Sequence, residues 1–433
     1  MSRWGRLLAI ALALAAFARG RGLAESAAAD GGMADAARWA PAAVPASDWW
    51  RFGIAAPHGI SGYAAQLDDL KAGAYIDFGH SLAPARPGGI EYIQLLRVRN
   101  DLYPAVLSEL PGLVAANPSA SWEIGNEPDT TYGNQDSTTP EVYADRFYAI
   151  ATQIRLLDET AKIGFGTVVQ PTPIRLRYLD RAWQRLIVLA GSQEAASGLI
   201  DFWNVHTFIL NEWPGEWGTG VPPGFTCELA GLGRCWDEGS AFDCDANPNQ
   251  CWLPVHYTTF DVTHDNAVFE ERVVALRQWM AGIGQQQKPL WITEYGSLFP
   301  PIGPYQVPDS ETARFMTQTF DFLLSTTDAD TGYPSDDNRL VQRWFWYSLN
   351  EHRDTFGGTL YDPDNSLART EVGTAWINYV DPPDFADVSI DHWARDYIEA
   401  LYHGGFVAGC SITQPPLYCP EQDLTRADDG AAD

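Results

Sequence analysis

Trp122-Glu-Ile-Gly-Asn-Glu-Pro-Asp129 begins as a short apolar run and ends abruptly in Asn126-Glu127-Pro128-Asp129. Pro128 has no N–H to give a sheet ladder and biases Glu127 toward extended backbone, so a strand ending here is expected. In a βα repeat such an end sets a carboxylate and its amide neighbour on the rim where the strand hands over to a loop. In parallel α/β barrels that C-terminal rim carries the chemistry. Pro289-Leu-Trp-Ile-Thr-Glu-Tyr-Gly296 repeats the form, with Glu294 following an apolar strand.

Outward from these two stretches, apolar runs alternate with amphipathic ones from Trp49 on. Strands are expected at Phe52–Ala56, Ala74–Phe78, Tyr92–Val98, Ser121–Gly125, Lys162–Val169, Phe202–Thr207, Leu290–Thr293 and Val341–Ser348. Helices are expected at 61–71, 101–116, 140–159, 174–197, 265–284, 309–326 and 369–380, with none in the Pro- and Gly-rich crossover 79–89. The strands are apolar throughout rather than alternating, which marks a parallel sheet buried on both faces. Their number and the chain length favour an α/β fold of the (β/α)8 TIM-barrel kind over an open doubly wound sheet. No Gly-x-Gly-x-x-Gly loop follows an early strand, against dinucleotide binding.

On this scheme Glu127 ends strand four, Glu294 ends strand seven, and Phe202-Trp-Asn-Val-His-Thr-Phe208 brings His206 to the same rim from strand six. A long rim insertion, 211–264, then carries four cysteines with Trp213, Trp217, Trp236 and Trp252. Insertions of this kind shape substrate subsites. The barrel domain spans 49–380, preceded by a flexible Ala- and Gly-rich lead-in at 19–48. Asp381-Pro-Pro-Asp384 is a stiff linker to a small helical module at 385–433.

The 433 residues carry a net charge of −28, which excludes nucleic acid and anionic surfaces as partners. Arg3 and Arg6 precede an apolar run, Leu7 to Ala18, too short to span a bilayer, so residues 1–18 read as a secretory signal. Ala16-Phe17-Ala18 offers a cleavage site, and the Ala-rich tract before Asp30 a second. No later run is apolar enough for membrane insertion, so an exported, extracellular protein is expected. Six cysteines fit that compartment and read as disulfides rather than zinc ligands. Cys410 and Cys419 have no other near neighbour and are paired; the pairing of Cys227, Cys235, Cys244 and Cys251 stays open.

Two carboxylates at two strand ends are the minimum equipment for breaking a glycosidic bond, and no metal or organic cofactor is needed. Glu123, with the same side-chain parity as Glu127, is expected as a buried carboxylate beneath the site, paired with a basic residue. His206 is a functional candidate. Trp346 belongs either to the cleft or to the core, with Trp344 competing for the role, and Tyr295 either orients Glu294 or packs. Glu212 and Glu216 are expected to be solvated. Asp243-Cys-Asp-Ala-Asn-Pro-Asn249 mimics a calcium loop but lacks its glycine and its terminal glutamate, and Asp328-Ala-Asp330-Thr-Gly332 is treated alike.

The two motifs, 167 residues apart and in this order, resemble those of clan A retaining glycoside hydrolases over roughly 50–380. The resemblance implies a (β/α)8 barrel, Glu127 as acid/base and Glu294 as nucleophile. It also implies Asn126 on the sugar 2-hydroxyl, His206 on the acid/base side, Trp346 under the cleft, and Arg97 or Arg99 at the rim. The implied substrate is a β-linked polysaccharide or oligosaccharide. Phe385-Ala-Asp-Val388, His392-Trp393-Ala394, Tyr397-Ile-Glu399, Gly404 to Gly409 and Leu424-Thr425-Arg426-Ala427 resemble one S-layer homology repeat, a module that binds cell-wall polymer. A rival expectation is a non-catalytic carbohydrate-binding protein of the cell surface.

Overall fold

A computed structural model describes residues 44–131, 134–210, 212, 218–225, 263–303, 306–411 and 415–422. Eight parallel strands close into a barrel in sequence order: β1 Phe52–Ala55, β2 Ala74–Ile76, β3 Glu91–Leu96, β4 Ser121–Ile124, β5 Lys162–Gly166, β6 Phe202–His206, β7 Leu290–Tyr295 and β8 Arg343–Tyr347. The surrounding helices are α1 Ala64–Asp69, α2 Tyr103–Ala116, α3 Pro140–Leu157, α4 Pro173–Ala190, α5 Gln193–Gly198, α6 Asn266–Gly282, α7 Asp309–Ser325 and α8 Glu371–Val380. The β2–β3 crossover holds only a three-residue 3-10 turn, Pro87–Gly89. The expected (β/α)8 barrel is the observed fold.

Alternation decides which side chains enter the barrel. Trp344 and Trp346 on β8 pack outward on the helices, whereas Phe345 and Tyr347 point inward. Inside, glycines sit in register beside large rings on the neighbouring strand, Gly53 beside Phe345 and Gly164 beside Phe202. A Cβ added at Gly53 would meet Phe345 at 2.4 Å, and one at Gly164 would meet Phe202 at 2.3 Å. Phe202 and Trp291 stack with centroids 3.8 Å apart, an arrangement that contributes about 1 kcal/mol beyond burial. Below them the bottom is closed by Arg343, whose Nη1 meets Glu91 at 2.6 Å while the Ser121 hydroxyl donates to the same carboxylate. Above them the lining turns polar: Glu123, Asn204 and Thr293, all buried, then His206, Glu127 and Glu294.

Several boundaries differ from the sequence expectation; strand five, for example, ends at Gly166 rather than Val169. The lead-in read as ending at residue 48 gives way earlier, to a 3-10 helix at Ala46–Arg51 pinned by the Arg51–Asp336 ion pair at 2.7 Å. The single helix expected at 174–197 is two, because Gly191 takes a left-handed C-terminal cap (φ 85°) and Ser192 then caps α5. Strand seven runs on to Tyr295 through a register shift against both neighbours.

Beyond the barrel, Phe385, Val388, Ala394 and Ile398 form a separate small core under helix α9, Arg395–His403, with Tyr402 and Tyr418 against it. Cys410 and Cys419 are disulfide-bonded, Cα atoms 5.9 Å apart. Among the described residues no helix is long and apolar enough to cross a membrane. The signal segment 1–18, most of the lead-in, Cys227, Cys235, Cys244, Cys251, Glu216, the four insertion tryptophans, the Asp243–Asn249 run and Leu424–Ala427 lie outside the described residues. The Asp328 segment is a turn, its carboxylate accepting the N–H groups of Asp330 and Thr331.

Close packing inside the barrel sets a stability test. A Cβ at Gly166 (φ 138°) would lie 2.1 Å from the Asn204 carbonyl, whereas at Gly59 (φ 71°) it meets nothing within 4 Å among the described residues. Gly166→Ala is expected to lose about 3 kcal/mol or more and Gly59→Ala about 1 kcal/mol, read from urea midpoints. Equal losses would contradict the packing described.

Candidate active site

The end of β4 is held by one carboxylate. Asp136, itself buried, accepts the N–H groups of Asn126 at 2.8 Å and Val98 at 2.9 Å, and its other oxygen meets Arg97 Nε at 2.7 Å. That arrangement ties the tips of β3 and β4 together. Gly125 (φ 93°) lets the chain turn where a Cβ would meet Tyr143 at 2.9 Å. Glu127 follows with φ 43°, its N–H bonded to the Thr167 carbonyl at 3.0 Å. A glutamate in left-handed backbone is strained, and such strain concentrates where side-chain direction matters.

On β7 a bulge does the corresponding work. Ile292 and Tyr295 both face outward although three residues apart, so the extra residue lets Thr293 and Glu294 both serve the interior side. Opposite, His206 on β6 pairs with Glu294 across the shifted register.

These elements converge on the imidazole. His206 Nδ1 lies 2.9 Å from Glu127 Oε1, and Nε2 lies 3.3 Å from Glu294 Oε1 and 3.7 Å from Glu123 Oε1. Glu123 also accepts from the Thr293 hydroxyl at 3.1 Å. One oxygen from each of Glu127 and Glu294 and one His206 nitrogen lie within 4.8 Å of one another, the sole such group among the described residues. A metal is the other occupant such a group suggests. However, the two glutamates contact opposite ring nitrogens, so one ion cannot replace both contacts. Nδ1 is hydrogen-bonded to Glu127, while Nε2 faces Glu294 and Glu123 as a charge contact.

Charge follows from this crowding. Burial disfavours the His206 cation, but Glu294, Glu123 and Glu127 together overcome it and keep the ring protonated well above its ordinary range. Burial also pushes Glu294 up to about 8, with His206 drawing it down, Glu127 and Glu123 pushing it up, and Arg97 opposing them. At neutral pH the Glu294 carboxyl is therefore held largely protonated in the free protein.

Glu127 and Glu294 open into a cavity of about 390 Å³. One wall is polar, with Arg97, Asn126 and Gln135; the other is aromatic, with Phe78, Phe208 and Tyr347. Asn126 Nδ2 donates to Gln135 at 2.6 Å, and its Oδ1 has no partner among the described residues.

The sequence-predicted residues thus divide. Glu127, Glu294, Asn126 and Arg97 line one cavity, His206 lies directly beneath it, and Glu123 is buried below against that histidine. Trp346 does not floor the cavity. It points out of the barrel, its indole N–H bonded to the Gly358 carbonyl at 2.7 Å, and Trp344 faces outward too. Tyr295 is likewise turned out by the bulge and packs on Trp346, away from Glu294. Arg99 pairs with exposed Asp101 instead of reaching the cavity. Glu212 is not solvated but buried in an ion pair with Arg175 at 2.7 Å. Sequence reasoning missed Tyr347, Phe208 and Asp136. The in–out count along β8 gives Tyr347, because it follows inward Phe345 by two.

No protein-family model matches the chain, and no curated protein matches it. Among solved structures it is similar to a GH128 (subgroup VII) oligosaccharide-binding protein from Trichoderma gamsii, at 12% identity over 76% of this chain and 93% of that one, TM-score 0.43. A psychrophilic glycoside hydrolase family 10 endo-β-1,4-xylanase aligns at 9% identity over 77% and 98%, TM-score 0.41. An endo-laminarinase from Formosa aligns at 11% over 85% and 90%, TM-score 0.40.

The raised Glu294 carboxyl is measurable without a substrate. Infrared difference spectra should show a protonated carboxyl that disappears as pH rises through about 8. Glu127→Gln removes the like charge and should return the remaining carboxyl toward the ordinary glutamate range. A native protein with no carboxyl titrating above neutrality contradicts the assignment.

Proposed function

We propose that this chain is an exported, retaining glycoside hydrolase of the clan A kind, cleaving a β-linked polysaccharide or oligosaccharide. The observation that carries the reading is the separation of its two cavity-facing carboxylates. One oxygen of each lies within 4.8 Å of the other, which supports the short carboxyl separation of a retaining pair, ~5 Å, over the roughly 6.5–9.5 Å of an inverting pair.

In the proposed cycle Glu294, ionised once substrate is bound, attacks the anomeric carbon while Glu127 passes a proton to the leaving oxygen. The C–O bond to the leaving group breaks and a glycosyl ester on Glu294 forms. Glu127, now ionised, takes a proton from water, whose oxygen attacks the same carbon and releases Glu294. His206 keeps both carboxylates oriented and offsets the charge left on the site. The unpartnered Asn126 Oδ1 is placed to accept a sugar hydroxyl. Tyr347 gives its own proton to Glu351 at 2.7 Å, leaving its oxygen free to accept another. A cavity with one aromatic and one polar wall suits a sugar ring, which has apolar C–H faces and hydroxyl edges. Export and a single S-layer-like repeat at 385–433, binding cell-wall polymer, belong to the same proposal. They are supported by the leader-like start and by the module's residue pattern.

Glu127→Gln and Glu294→Gln are each expected to cut kcat on aryl β-glycosides by about 10²–10⁴-fold or more, with thermal unfolding little changed. Proton NMR of the first-formed product should show the substrate's own anomeric configuration. Full activity in both variants, or an inverted product, would end the proposal.

A further inference from the structure

Arg175, on α4, is fully buried, and its guanidinium reaches two segments distant in sequence. Nη1 donates to the Asp129 carboxylate at 2.8 Å and to the Asp129 carbonyl. Nη2 donates to Glu212 at 2.7 Å and to the Gly220 carbonyl at 2.5 Å, while Nε donates to Glu212 at 3.1 Å. All five guanidinium N–H groups therefore have acceptors. Glu212 is closed in further by Gln170 Nε2 at 2.8 Å, by the Thr219 hydroxyl at 3.0 Å and by the Thr172 hydroxyl.

Asp129 stands two residues beyond Glu127, and its second oxygen takes the Val169 N–H at 3.2 Å. Beside it the Thr130 hydroxyl donates to the Thr219 carbonyl at 2.9 Å. Thr130, Thr219, Gly218 and Leu210 are wall residues of the cavity. One guanidinium thus fastens the loop that carries Glu127 to two points, Glu212 and Gly220, near the start of the rim insertion.

We propose that Arg175, with Asp129 and Glu212, is a positioning device that locks the cavity wall formed by the insertion to the Glu127 loop, so that the two move as one body. Removing the buried cation would leave two buried carboxylates uncompensated, and removing either carboxylate would strip guanidinium N–H groups of their acceptors, so the joint is stable only while all three are present. That all-or-none character makes the joint rigid. The left-handed backbone at Glu127 needs such support, having no Gly to relax it. The kinetic consequences rest on the retaining-hydrolase reading; the mechanical ones do not.

The test uses the full chain with Glu212→Gln, on the insertion side of the guanidinium, and Asp129→Asn, on its catalytic-loop side. Amide hydrogen exchange at 127–130 in folded Glu212→Gln is expected to quicken about ten-fold or more, although the substitution lies across the guanidinium. On a glycoside substrate, Glu212→Gln should raise KM more than it lowers kcat, and Asp129→Asn should lower kcat and shift the basic limb of the pH profile. Should Glu212→Gln fail to fold, Arg175→Lys keeps the charge, loses the fork and gives the same reading. Unchanged exchange at 127–130, with KM and kcat also unmoved, overturns the proposal. If the parent protein hydrolyses no glycoside, the retaining-hydrolase reading fails on its own, and the exchange result still decides the lock.

Discussion

The site depends on one buried imidazole. Three glutamates, from β4, the loop that follows it and β7, face His206, and without its positive charge they would place like charges against one another in a region shielded from water. Two local departures from regular backbone make the contact possible. Glu127 turns through left-handed backbone to reach Nδ1, and the β7 bulge aims Glu294 at Nε2. Each departure costs stability where it occurs and is repaid in side-chain direction. Clustering of irregular backbone around one histidine is itself a mark of a functional site.

The rest of the barrel gives that cluster a rigid seat. Small residues on β1 and β5 admit the large rings of β6 to β8, so the interior is solid below the carboxylates. Moving upward, the lining passes from Glu91–Arg343 at the floor, through Phe202 and Trp291, to the ionisable layer at the mouth. The cavity therefore sits on packed side chains, which limits how far Glu127 and Glu294 can drift apart.

Much of this was legible in the chain. The eight strands showed as apolar runs, and the two carboxylates showed because Pro128 and the Gly296 turn mark strand ends beside them. What escaped has particular causes. A single bulge reverses side-chain parity, so Tyr295 cannot be placed without knowing the register. Trp346 was chosen for its chemistry, whereas strict alternation on β8 assigns the inward position to Tyr347. Glu212 looked like a solvated charge because its partner, Arg175, lies 37 residues earlier on another element. Asp136 is similarly silent: its role is set by three donors from two strand tips, a pattern no local motif records.

The account's central claim is a division of labour between two glutamates on either side of His206. Incubation with activated 2-deoxy-2-fluoro-β-glycosides, which slow release of a glycosyl ester, followed by peptide mapping by mass spectrometry, tests it most directly. The account predicts one covalent adduct, on Glu294, with Glu127 and Glu123 unmodified. An adduct on Glu127 or Glu123 instead would contradict it.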